Sequence, residues 1–158
     1  MKTRAELLRA WAEAVSKMHI GHHLAAAYFT KWHYGLGAGA TAAAAVVGAT
    51  VFATLTKLAT DAGFWQFLAV ALLSTLSPAL TAAVTFLKLD ERSLRHTRAA
   101  ASFAGLRRAM ELAEIELAEG KKSDNLIALQ SQWRDVIRES PPLPQFAYDR
   151  AVKQIQLE

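Results

Sequence analysis

The chain has 158 residues, no cysteine and a formal charge of +4, and its mean hydropathy of +0.14 averages two unlike parts. Of its 18 basic and 14 acidic residues only Lys57 and Asp61 fall between Tyr34 and Leu87, a distribution that does not fit an ordinary soluble domain. The lack of cysteine excludes a disulfide framework, thiolate metal ligation and a cysteine nucleophile, and is silent on the redox compartment.

Residues 1–33 are charged and helix-forming. Leu8, Trp11, Val15, Met18, His22, Ala25, Phe29, Trp32 and Leu36 recur at spacings of three and four, which predicts an apolar seam on an N-terminal helix that does not stop at the next segment. Glu6 and Glu13 stand among the basic residues and no apolar core precedes Trp32, so the stretch does not resemble a cleavable secretory signal. His19, His22 and His23 lie at i, i+3 and i+4, a spacing that can gather imidazoles on a metal. The other reading is polar groups packed in the seam, with a response to pH. His96 occupies the equivalent seam position on a later arm, which makes a packed polar layer the more economical account of both.

From Trp32 to Thr56 and again from Ala62 to Leu87 there is no formal charge, and each stretch exceeds the ~20 residues that cross a hydrocarbon core of roughly 30 Å. Leu36 to Leu55 is apolar or small on every face, without the polar stripe of a helix in a soluble bundle. The spans are therefore placed at residues 34–56 and 64–87, with a short external loop at 57–63 that makes them antiparallel neighbours. Thr60 or Asp61 can cap the second. Trp32 and Tyr34 at one end, and Phe64, Trp65 and Phe67 at the other, stand where aromatic belts form. Lys17, Lys31, Lys88, Arg92, Arg95, Arg98 and Arg107 flank the spans on the side of the termini against Lys57 alone in the loop, which puts both termini in the cytoplasm. The basic excess beside a membrane reads as attraction to anionic lipid rather than to nucleic acid.

Residues 88–120 form a second cytoplasmic arm. Arg92, His96, Ala99, Phe103, Leu106, Met110, Ala113 and Leu117 keep the same spacing and end at Gly120, so the two arms are expected to pair. Residues 121–158 form a helical tail. Ser123 or Asp124 can cap a helix carrying Leu126, Leu129, Trp133 and Val136 or Ile137; Pro141, Pro142 and Pro144 break it; Phe146, Ala147, Val152 and Ile155 mark one more short amphipathic helix. No segment reads as a strand.

In the first span Gly35, Gly37, Gly39, Ala40, Ala44 and Gly48 supply small residues, which let backbones approach where no hydrophobic effect drives association. They serve packing within the hairpin or packing between subunits. In the second span Ser74, Ser77, Thr81 and Thr85 share a face. Ser74 and Ser77 are read as satisfying local backbone groups next to Pro78, which leaves a carbonyl without its helical donor, while Ser77, Thr81 and Thr85 remain the candidate pore-lining set. No ionisable residue lies deep in either span, which argues against a proton relay. No phosphate loop, nucleophile context or paired carboxylates are present, so no enzyme activity, metal or cofactor is expected.

The stretch His33-Tyr34-Gly35-Leu36-Gly37, then Val46 to Ala53, then Phe86-Leu87-Lys88-Leu89-Asp90-Glu91-Arg92 leading into His96, Ala99, Ala100, Phe103, Leu106, Arg107 and Arg108, resembles the SLATT domain over roughly residues 10 to 120. That is a family of bacterial two-span effectors associated with SMODS nucleotidyltransferases and SLOG nucleotide-sensing domains. Phe103 stands where the family pattern has tyrosine, so a hydroxyl is missing here. The resemblance implies an oligomeric protein of the bacterial inner membrane that opens a pore when a linked sensor or nucleotide signal reports invasion.

The expectation is thus an all-α membrane protein, a two-helix transmembrane hairpin with long cytoplasmic extensions forming a bundle. It is expected to act as a homo-oligomeric pore-forming or membrane-disrupting effector. Gly35, Gly39, Gly48, His22, His96, Phe103, Leu106 and Met110 are expected to pack its helices. The rival is a non-conducting scaffold that holds a cytoplasmic partner through Leu126, Trp133 and the Pro141-Pro142 tail.

Overall fold

Alanine and leucine dominate the chain and favour helix. The computed structural model describes residues 3–55, 64–119 and 126–157, and every regular element among them is helical. In chain order these are α1 (Arg4–Leu55), α2 (Phe64–Leu87), α3 (Leu89–Ala118), α4 (Leu126–Glu139) and α5 (Gln145–Ile155). The expected loop at 57–63, the caps Thr60, Asp61, Ser123 and Asp124, and the stop at Gly120 lie outside the described residues, as do the side chains of Phe64 and Phe67.

Local chemistry sets several helix ends. Thr3 and Glu6 form a reciprocal capping box at the start of α1: the Glu6 N–H donates to Thr3 Oγ1 at 3.2 Å and the Thr3 N–H to Glu6 Oε2 at 2.8 Å. The junction between α2 and α3 is made by Lys88, which adopts φ 47°. A left-handed residue cannot continue a right-handed helix and costs roughly 1–2 kcal/mol when it is not glycine, so α3 begins at Leu89 rather than at residue 88. The α4 helix ends at Ser140, whose hydroxyl donates to the Val136 carbonyl at 2.6 Å, because Pro141 and Pro142 offer no N–H to extend it.

The chain divides into two compact units, one comprising Met1–Tyr28 with Glu91–Glu158 and the other Phe29–Asp90. In the first, α1 and α3 run antiparallel around Leu8, Val15, Phe103, Leu106, Met110 and Ala113, and Leu129 of α4 closes this core with Trp11, Met18, Trp133 and Val136 at its edge. Val136 turns inward and Ile137 stays exposed, which resolves the two sequence alternatives. In α5 the buried residues are Ala147 and Ala151, while Phe146 tilts against Tyr28 with ring centroids 4.7 Å apart. Arg92, assigned to the seam by spacing, is exposed, and the neighbouring Ser93 is buried in its place. Both fit the periodicity; only the small side chain fits between the helices.

In the second unit Ala40 and Ala43 are buried where α1 meets α2, and Leu80 packs against Gly39. Around this contact the surface is apolar, with Tyr34, Val46, Val51, Trp65, Leu72 and Phe86 exposed. Two helical stretches, within Arg4–Val51 and within Leu68–Ala118, are long and apolar enough to cross a membrane.

Candidate functional site

Two constellations carry polar chemistry, one in each unit. In the first, hydrogen bonds at successive levels of the seam link α1 to α3 in antiparallel register. His19 Nδ1 meets the Ala100 carbonyl at 2.9 Å, His22 Nδ1 meets His96 Nδ1 at 2.9 Å, and Ser93 Oγ donates to the Ala26 carbonyl at 3.1 Å. The carbonyl only accepts, so His19 carries its proton on Nδ1. The expected polar layer of His22 and His96 is therefore present, and the three clustered histidines are split among tasks. His19 holds a carbonyl, His22 faces His96, and His23 is exposed.

His22 and His96 are buried, 1 % and 4 % exposed. Their rings lie 5.1 Å apart, and the Phe103 ring stacks on the other side of His22 at 5.4 Å and 14°. Burial, reinforced by the neighbouring His96, pushes His22 down to about 4, and burial also lowers His96. Both rings are neutral at pH 7. A hydroxyl on the ring at 103 would need its own partner in this stack, whereas phenylalanine fills the space without one.

Gly21 is not singled out by the sequence, yet a larger residue has no room there. A Cβ there would come within 2.6 Å of Leu143 Cδ2, so the proline-rich segment after α4 lies directly on α1 one residue before His22. The available signal was a glycine inside an otherwise strong helical pattern, which costs about 1 kcal/mol without a packing reason. Arg9 also pairs with Glu114 across the bundle at 2.6 Å, a surface bridge of small energetic weight.

In the second unit the hydroxyl face divides. Ser77 Oγ donates to the Ala40 carbonyl of α1 at 3.1 Å, an interhelical bond rather than the local one expected from its position beside Pro78. Ser74 does bond locally, to the Ala71 carbonyl at 2.8 Å. Thr81 and Thr85 each donate to the carbonyl four residues earlier, at 3.0 Å. Ser77, Thr81 and Thr85 nonetheless border one open groove with Pro78, Ala82 and Phe86. Among the described residues, a Cβ at Gly39 would meet Leu80 of α2 at 3.6 Å, whereas one at Gly35, Gly37 or Gly48 would meet nothing within 4 Å.

These features define a helical protein with two membrane-length helices, a hydroxyl-edged groove and a buried histidine pair. Comparison of the chain with family models, curated proteins and solved structures returned no match.

Proposed function

We propose that the protein is a two-span membrane protein of the SLATT type, an oligomeric pore-forming or membrane-disrupting effector of a bacterial conflict system. In this reading both termini are cytoplasmic, the protein resides in the inner membrane, and a linked sensor or nucleotide-signalling partner acts on the cytoplasmic helices. The observation that carries it is the placement of the first span's glycines. The α1–α2 contact uses Gly39, Ala40 and Ala43, and leaves Gly35, Gly37 and Gly48 open. In lipid, small residues without an intramolecular partner favour close approach of another helix, and a second copy supplies one. The groove edged by Ser77, Thr81 and Thr85 offers such an assembly a polar strip among apolar faces.

The scaffold reading relied on Leu126, Trp133 and the Pro141-Pro142 tail; Leu126 and Trp133 pack against the first unit's core, which leaves a partner the exposed Pro142, Ile127 and Ile137. Membrane potential separates the two. After induced expression in bacteria, a voltage-sensitive dye is expected to report depolarisation with the full chain and none with a chain lacking residues 64–87. A steady potential despite verified insertion of the full chain, both alone and on coexpression with its linked partner, would remove the effector reading.

A further inference from the structure

The hydrogen bond between His22 and His96 joins the same atom type on both rings, Nδ1 to Nδ1, and this restricts how many protons the pair can hold. When both rings are neutral, one Nδ1 carries the proton and donates it; the other is bare and accepts, its own proton being on Nε2. A first added proton goes to the bare Nε2 of the donor ring and leaves the bond intact. A second must go to the accepting Nδ1, which would set two N–H groups against each other across 2.9 Å. The rings then have to part.

We propose that His22 and His96 form a proton-operated latch on the seam between α1 and α3. With a single proton between the two Nδ1 atoms the latch is closed, and taking up protons opens it. The surroundings favour an all-or-none release. Phe103 covers one face of His22, Ala25, Ala99 and Ala100 are buried nearby in the seam, and the buried polar or charged side chains among the described residues are His22, His96 and Ser93 only. No carboxylate is buried there to hold an imidazolium.

The other titratable and charged groups on the elements around the pair stay outside. On α1, His19 is tied to the Ala100 carbonyl and His23 is exposed. On α3, Arg92 and Arg98 are exposed, and Arg95 pairs with Glu91 on the surface. The segment from Ser140 to Pro144, which reaches α1 at Gly21, carries no charge. Glu139 of α4 is exposed, as are Tyr148, Asp149 and Arg150 of α5, with Asp149 accepting from Gln145. The lowered proton affinity of His22 keeps the latch closed at neutral pH and places its opening in acid. This inference holds whether or not the protein conducts.

The cysteine-free chain allows a direct distance measurement. Spin labels on Ala27→Cys and Arg92→Cys, both exposed positions, report the α1–α3 separation in the full chain in lipid nanodiscs. Between about pH 7.5 and about pH 4 a second, longer distance population is expected to appear and to revert on neutralisation. The His22→Phe/His96→Leu variant should keep the short distance throughout. If that variant does not fold, His96→Gln serves instead, since its amide can bond His22 but cannot take the second proton. His19→Gln should leave the transition unchanged. A distance that stays fixed to about pH 4 in the native pair overturns the latch, and so does a transition that persists in the double variant or in His96→Gln, or disappears in His19→Gln.

Discussion

His22 is held by two aromatic neighbours and one hydrogen bond, in a buried position that favours the neutral ring. The consequence for stability has a definite sign. An unfolded histidine titrates near 6.5, the folded one near 4, so between these values the unfolded state binds more protons and stability falls as the pH falls. Stability is full above about pH 6.5, and about 3 kcal/mol of it is lost once the pH has dropped through the folded value. Thermal melts in detergent should therefore show a midpoint that declines from pH 6.5 downward, and His22→Phe should flatten that decline. Glycines test packing at the same scale. Gly21→Val drives a branched side chain into Leu143 and should cost about 1–3 kcal/mol. Gly105→Ala lies in the exposed interior of α3 with open space around it, and should gain about 0.5–1 kcal/mol. Paired melting curves of these two variants discriminate the positions, which a sequence shows only as two glycines in helices. A capping box at Thr3 and Glu6 was equally legible as a T-x-x-E pattern, whereas Ser93 was hidden by the equal claim of Arg92 to the seam.

At the scale of elements, helix α1 runs without a break from Arg4 to Leu55, while the seam expected from Leu8 to Leu36 is buried or half-buried from Leu8 to Ala25 and leaves Trp32 half-exposed. The stretch read as the second span, residues 64–87, is helical throughout as α2. The start of α3 was less legible. Lysine carries no signal for positive φ, and only the backbone conformation at Lys88 reveals it. The first span's small residues illustrate what periodicity leaves open: they surround the helix, and only the position of α2 shows that Gly39 is used while Gly35, Gly37 and Gly48 are not. From this follows an element-scale prediction. Gly48→Leu should leave the thermal midpoint of the monomer within about 1 kcal/mol of its original stability yet weaken self-association, read as loss of cross-linked dimers and higher species in membranes. Gly39→Leu should instead disturb the α1–α2 pair itself, because Leu80 already occupies that space.

For the whole molecule, the proposed conduction path makes one demand on the groove. Thr81→Leu with Thr85→Leu removes two hydroxyls that are bonded only to backbone carbonyls of their own helix, so folding and assembly should be retained while ion flux through reconstituted vesicles falls several-fold. Unchanged flux would take both threonines out of the pore wall. The helical class, the two membrane-length stretches and the amphipathic arms were determined by the sequence alone, because charge exclusion and spacing are properties of a single chain read along its length. Which of two adjacent residues enters a seam, that Ser77 bonds Ala40 across two helices, that Leu143 rests on Gly21, and that His22 meets His96 through like nitrogen atoms were decided only by the tertiary structure. Those facts depend on the distance between residues far apart in the chain, and periodicity places a side chain on a face without saying what stands opposite it.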